Sequence, residues 1–219
     1  MAPALAPPPR AVVFDLGNVL IRWDPHPAIA RAVGDEDARR FLGDSDFDFL
    51  AWNHEQDAGR AWDDAEHVAT TSHPHWAEAI RGYRTHFAAS LVGPVQDTVE
   101  VLTELHRGGV PLLALTNWSA ELFPLALSTY GFLGLFDDIV VSGQEGLAKP
   151  DPRIFAVLEA RVRRLRPQAG LADCVFVDDS ARNVEAARAL GMDAILFTDT
   201  GHLRGDLHRR GLPVAAPAS

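Results

Sequence analysis

Five short apolar runs punctuate the chain: AVVF at residues 11–14, PLLAL at 111–115, IVV at 139–141, CVFV at 174–177 and AILF at 194–197. They are continuous rather than alternating, and rich in β-branched and aliphatic residues, as strands buried on both faces must be. Between the later runs the apolar positions recur with helical spacing. Residues 95–107 place Val99, Leu102 and Leu105 on one face and stop at Gly108–Gly109. Residues 119–130 read as a second helix. Asp151 followed by Pro152 is an N-cap with proline at the first helical position, opening a helix over 153–166. Residues 180–190 form another, ending at Gly191, and a last helix follows the fifth run. Strands alternating with helices of ten or more residues predict a parallel sheet covered on both faces, with right-handed crossovers.

One segment breaks this rhythm. After Ile21–Trp23 the breaker Asp24–Pro25–His26–Pro27 opens a stretch, to about Leu91, with no convincing strand. Ile29 with Val33, then Phe41, then Phe47, Leu50 and Ala51 each suit an apolar helical stripe, and Trp76, Ile80, Tyr83 and Phe87 continue the pattern beyond Ser72–His73–Pro74. An insertion this long between a first strand and its crossover reads as a lid rather than a loop. Residues 91–94 read as its return linker. The resulting division is a core of residues 1–23 and 92–219 and a helical cap of residues 24–91. No internal repeat is visible.

Composition narrows the function. The chain has 219 residues, 47% of them apolar, and a mean hydropathy near zero, which suits a globule with a proper core. A formal charge of −10 without any Lys/Arg-rich run argues against a nucleic-acid partner. No run approaches the roughly 20 apolar residues of a membrane span. Cys174 is the single cysteine and lies inside an apolar run, so it reads as a buried, inert thiol. The opening MAPALAPPPR lacks the charged and hydrophobic regions of a signal peptide and reads as an extended lead-in, with the cytoplasm as the expected compartment.

In a parallel sheet all C-terminal strand ends share one edge. Three of the runs therefore deliver Asp15, Thr116–Asn117 and Asp178–Asp179 to the same rim, and the loop after the third brings Lys149 there. Each has a plain alternative: Asp15 as a turn residue with Gly17 and Asn18, Thr116–Asn117 and Asp178–Asp179–Ser180 as helix caps, Lys149 as a solvated loop lysine. Capping needs one carboxylate, however, and two adjacent ones at the end of a buried strand repel one another unless a cation lies between them. The chemistry that uses the whole set is phosphoryl transfer through an aspartyl intermediate. Asp15 would attack phosphorus. Mg²⁺, held by Asp15 with Asp178 and Asp179, would let an anionic nucleophile approach an anionic phosphate. Thr116 and Asn117 would hydrogen-bond phosphate oxygens, and Lys149 would neutralise developing charge.

These residues also carry a resemblance. Asp15 in VVFDLGNVL, Thr116 in LLALTN, Lys149 in GLAKPDPRIF and the acidic pair in VFVDDSARN resemble the four ordered motifs of the haloacid dehalogenase-like hydrolases, over roughly residues 10–23 and 92–212. The resemblance implies an α/β fold, a Rossmann-like parallel sheet core with a small α-helical cap inserted after the first strand. It implies a Mg²⁺-dependent phosphatase for a small phosphorylated metabolite. The DLGNVL wording is most similar to the branch acting on sugar phosphates such as glucose 1-phosphate. Asn18 and Trp118 join the substrate-side candidates, Trp118 as pocket floor, and Gly17 would offer a backbone carbonyl to the metal.

The chain departs from the family in one place. Phosphatases of this family usually carry a second Asp two residues after the nucleophile, as general acid and base, and here that position is Gly17. A leaving oxygen of lowered pKa would need less protonation, a cap residue or water would supply the proton, or the chain would bind a phosphorylated ligand or a partner with little turnover. The related 2-haloacid dehalogenases also lack that Asp, since halide leaves without a proton. The pair Asp178–Asp179 favours phosphate over halide. In the cap, Trp52, His54, Glu55, Asp57 and Arg60 of WNHEQDAGR either face the cleft or form a solvated helix surface with Trp52 packed beneath it. His73–Pro74–His75 reads as a surface turn rather than a metal site.

Overall fold

The computed structural model describes residues 11–216, and the lead-in at residues 1–10 lies outside the described residues. Seven strands fall into two sheets: β1 (Ala11–Phe14), β2 (Ile21–Trp23), β3 (Leu91–Pro94), β4 (Leu112–Thr116), β5 (Asp138–Val141), β6 (Cys174–Asp178) and β7 (Asp193–Leu196). Five are parallel, in the order β5-β4-β1-β6-β7. Every residue of β1, β4 and β6 is buried, which explains why those segments lack a polar alternation. Their side chains divide between the two faces with a period of two. Val12, Phe14, Leu112, Ala114, Val175 and Val177 enter one core, while Val13, Leu113, Leu115 and Phe176 enter the other. Cys174 is buried with the second set, and burial pushes its thiol up to about 12, as expected of an inert cysteine.

Between β2 and β3 stand five helices: α1 (His26–Val33), α2 (Asp35–Leu42), α3 (Phe49–Asp57), α4 (Trp62–Ser72) and α5 (Ala77–Thr85). Their interior is largely aromatic. Phe41 stacks on Phe47 at 5.0 Å, Phe49 meets Tyr83 edge-on at 5.0 Å, and Trp62 lies 5.3 Å from Trp52 and 5.8 Å from Tyr83. Such pairs contribute about 0.5–1.5 kcal/mol each beyond the area they bury. A Cβ at Gly82 would fall 2.3 Å from the Cβ of Ala32, so α5 approaches α1 as closely as it does because position 82 has no side chain. The stripe expected through Leu50 is not found, since Leu50 points to solvent at 63% exposure.

Residues 91–94 are not a linker. They pair antiparallel with β2, Ile21 opposite Pro94 and Arg22 opposite Gly93, making a two-stranded neck under the helices. Gly93 and Pro94 conceal this strand from propensity, and the pairing is set by the partner.

Six further α-helices follow among the described residues: α6 (Gln96–Arg107), α7 (Phe123–Thr129), α8 (Ser142–Glu145), α9 (Pro152–Leu165), α10 (Ala181–Ala189) and α11 (Thr200–Arg209). α6 and α11 cover the first face of the sheet through Val101, Leu102, Leu105, Leu203 and Leu207, and α9 and α10 cover the second through Ile154, Phe155, Leu158 and Val184. Asp151 caps α9 by accepting from the Arg153 amide at 2.9 Å. α7 starts four residues later than the sequence spacing predicts, because residues 118–121 are drawn into tertiary bonds: the Trp118 amide donates to Ser142, and Ser119 and Glu121 accept from Trp62. Strand order reverses at β1, with β4 and β5 to one side and β6 and β7 to the other. Open α/β sheets form their crevice at the carboxyl end of such a switch.

Candidate active site

Parallel register brings the polar tips together. Phe14 lies between Ala114 and Val177, so Asp15 emerges beside the end of β6, its amide donating to the Val177 carbonyl at 2.8 Å. Asp178 is fully buried at the tip of β6. Lys149 reaches in from the loop after α8 and is also buried. Its ammonium donates to the Leu115 carbonyl at 2.8 Å and to Asp178 Oδ2 at 2.7 Å, and lies 3.0 Å from Asp15 Oδ1. One cation thus bridges β1, β4 and β6.

Charge does not balance there. Oxygens of Asp15, Asp178 and Asp179 lie within 4.8 Å of one another, against a single ammonium. Burial pushes the Asp15 carboxyl up to about 7 even with Lys149 beside it, and the Asp178 and Asp179 charges push the same way. Asp179 is raised by burial and then by Asp178. Burial opposes the Lys149 charge, but Asp15 and Asp178 outweigh it and hold the ammonium protonated. Hard oxygens with a deficit of positive charge are the donor set a divalent cation such as Mg²⁺ takes. The three carboxylates are not equally free. Asp178 already accepts from the Ser180 amide at 2.8 Å, from Asn183 at 3.0 and 3.1 Å, and from Lys149. Four bonds fill its lone-pair sites, so Asp15 and Asp179 have more to offer an ion.

The remaining sequence candidates occupy different places. Thr116 closes β4, buried in the same rim. Asn117, expected on phosphate oxygens, instead clamps Lys149: its Oδ1 accepts from the Lys149 amide at 2.8 Å and its Nδ2 donates to the Lys149 carbonyl at 3.0 Å. Asn18, expected on the substrate side, holds a left-handed turn (φ 53°), accepts from the Trp23 amide at 3.1 Å and bonds Asp179. Both amides position other site residues because a strand tip exposes backbone groups that need partners. Trp118 is buried between Phe87 and Phe123, and its indole N–H has no partner among the described residues. A Cβ at Gly17 would meet nothing within 4 Å.

That open space belongs to a cavity of about 140 Å³ running from Gly17 and Asn117 up to the helical insertion. Its walls are Trp23, Trp62, Tyr83, Phe87 and Trp118. The polar groups among its lining are mostly spent on each other. Ser119 accepts from Trp62 Nε1 at 2.7 Å, and Tyr83 accepts from Trp23 Nε1 at 3.2 Å. Of the WNHEQDAGR stretch, Trp52 packs beneath the helix, His54 and Glu55 are exposed and Arg60 pairs with Glu55. Asp57 and Asn53 line the cavity, where burial pushes the Asp57 carboxyl up to about 7. His73 Nε2 donates to the Asp46 carbonyl at 3.1 Å, its ring packs on Phe47, and no third metal-ligating residue joins it and His75 among the described residues. Sequence spacing did not mark Trp62 or Ser119 for the cavity, and read Tyr83 only as part of an apolar stripe. Asn183 stood in the VFVDDSARN stretch, five residues after Asp178, as the one available signal.

A family model for haloacid dehalogenase-like hydrolases matches residues 9–191, and the chain belongs to that family. It is 27% identical over 192 residues to a sesquiterpene phosphatase from Aspergillus oryzae, covering 87% of this chain and 91% of that protein. It is 29% identical over 202 residues to a phosphoglycolate phosphatase from Cereibacter sphaeroides, covering 90% and 88%. Other curated relatives are matched over about half of their length or less, two of them through only about half of this chain. A family enzyme from Bacteroides thetaiotaomicron, solved with magnesium and inorganic phosphate, superposes with a TM-score of 0.65 at 20% identity, covering 89% of this chain and 98% of that one. At that identity the likeness establishes the fold. With its phosphatase relatives, the chain is a hydrolase of phosphatase type. No helix among the described residues is long and apolar enough to cross a membrane.

Proposed function

We propose that the chain is a Mg²⁺-dependent phosphatase that cleaves a small phosphate monoester through a phospho-Asp15 intermediate. The observation that carries this reading is the convergence of Asp15, Lys149, Asp178 and Asp179 with one positive charge among three negative ones. Asp15 and Asp179 would hold the ion, with Asp178 and the Gly17 carbonyl beside them, and the ion would supply the positive charge that phosphate and nucleophile both require. Asp15 attacks phosphorus, Lys149 offsets charge on Asp15 and the equatorial oxygens, and Thr116 lies at the rim on the phosphate side. Asn117 and Asn183 keep Lys149 and Asp178 in place. A dehalogenase has no use for an acidic pair beside the nucleophile.

The cavity supports a leaving group that is compact and apolar rather than a sugar. Its walls are aromatic, and few of its polar groups are left to greet hydroxyls. A dry cavity of about 150 Å³ accommodates a benzene-sized group. The sesquiterpene phosphatase among the relatives points in the same direction. The test is phosphate release from a panel of aryl, isoprenyl and sugar phosphates, with Mg²⁺ and with EDTA. The reading expects turnover that chelation abolishes, with hydrophobic esters preferred. Metal-independent turnover, or halide release from 2-chloropropionate, would overturn it. Mg²⁺ should also raise Tm without substrate, by an amount set by its concentration over Kd.

A further inference from the structure

The aspartyl mechanism needs a proton for the departing oxygen, and Gly17 has none to give. We propose that Asp57, carried on α3 and held by Asn53 and the Ser119 amide, is the catalytic acid and base that serves the leaving oxygen. This rests on the phosphatase reading above.

Asp57 lines the same cavity as Gly17 and Asn117 and lies in the electrostatic field of both Asp15 and Lys149. It stands outside the group of carboxylates whose oxygens are close enough to share an ion, so its proton does not compete with a metal. Its carboxyl is oriented: Asn53 Nδ2 donates to Oδ2 at 3.1 Å, and the Ser119 amide donates to the same group. Its backbone is docked on the core as well. Ser142, at the start of α8, accepts from the Trp118 amide at 2.9 Å and donates to the Asp57 carbonyl at 2.5 Å. One buried hydroxyl therefore ties the last turn of α3 to the loop that follows β4. Just beyond, a Cβ at Gly59 would lie 3.1 Å from the Gly146 Cα, so the two turns are in close contact.

Stability gives no reason for an acid at this place. Asp57 is the last residue of α3, where the negative end of the helix dipole disfavours a carboxylate. It is half-buried beside the aromatic walls of the cavity and lies in the field of a second carboxylate. Those same features keep a proton on it near neutrality, as a general acid requires.

The steps balance. As Asp15 forms its bond to phosphorus, the P–O bond to the alcohol breaks, its electron pair stays on that oxygen, and the Asp57 carboxyl proton moves to it. Asp57, now a carboxylate, takes a proton from the water whose oxygen attacks phospho-Asp15. Inorganic phosphate and free Asp15 result, with the proton back on Asp57.

The experiment compares two esters, p-nitrophenyl phosphate, whose phenolate leaves unaided, and 2-phenylethyl phosphate, whose alkoxide needs a proton. With Mg²⁺ present, Asp57→Asn is expected to lower kcat/KM, which reports the step that releases the alcohol, by about 10²–10⁴-fold on the aliphatic ester and by less than about tenfold on the nitrophenyl ester. Adding Gly17→Asp to Asp57→Asn, a side chain for which there is room, should restore part of the aliphatic activity. Should Asp57→Asn not fold, Asn53→Ala reads the same contrast on a smaller scale. Equal losses of kcat/KM on both esters, no loss on either, or wild-type activity confined to the nitrophenyl ester would overturn the assignment of Asp57 alone. A wild-type protein that turns over neither ester with Mg²⁺ would overturn the phosphatase reading itself.

Discussion

The sheet rim and the helical insertion hold their polar groups in different ways. At the rim, Asp15 follows buried β1 and Asp178 ends buried β6, both in fixed register, and Lys149 closes a network in which nearly every polar atom has a partner. In the insertion, aromatic packing dominates, and one carboxyl, Asp57, is turned from helix to cavity by docking on Ser119 and Ser142. Register places chemistry to within an ångström or two from local sequence. Docking places it through contacts between segments far apart in the chain. A buried polar network is also costly to interrupt, whereas an aromatic cluster loses stability in smaller steps.

Asp15→Asn tests that contrast most severely. It should reduce phosphate release about 10³-fold or more, because it removes the nucleophile while the rest of the rim stays in place. Retained turnover would move the chemistry away from the rim. Next in size is Lys149→Ala, which leaves Asp15 and Asp178 buried with no ammonium between them. Urea unfolding of the metal-free protein should show a loss of about 3–5 kcal/mol. A loss below about 1 kcal/mol would mean that the carboxylates neutralise themselves by taking up protons. Asn117→Ala removes both bonds to the Lys149 backbone and should cost about 1–3 kcal/mol, with a fall in kcat larger than any rise in KM.

Asp57→Asn should move stability the other way. The folded carboxyl is raised from 3.8 to about 7, so the folded state holds its proton where the unfolded state has lost it. Its stability is intact below about pH 4 and falls as pH rises through 7. The variant's gain should therefore be near zero at pH 4, grow to as much as about 4 kcal/mol by pH 8 and then level off, as read from Tm against pH. A gain independent of pH would mean that Asp57 ionises freely. Leu50→Gln, on the exposed side of α3, should change stability by less than about 0.5 kcal/mol. A larger loss would show that this face of the insertion is covered in solution.

Much of the core was legible in the chain. AVVF, LLAL and CVFV could be read as central strands because a strand buried on both faces has no polar alternation, and Asp15, Asp178 and Asp179 stood at strand ends that a parallel sheet must align, with Lys149 in the loop after the third run. The strand at residues 91–94 was not legible, since Gly93 and Pro94 oppose it locally and only pairing with β2 creates it. Nor was the task of Asn117: its amide is spent on Lys149, 32 residues away, where spacing alone suggested a phosphate.

By itself the sequence determined the layers, the α/β class and the three carboxylates whose positions follow from strand register, because periodicity and strand ends are local properties. Tertiary structure alone decided which face of α3 looks into the cavity, which aromatic rings wall it, and that Asp57 rather than His54 or Glu55 meets the rim. A helix presents side chains all around its axis. The face that becomes buried is chosen by the partner it packs against, and here that partner lies more than fifty residues further along the chain.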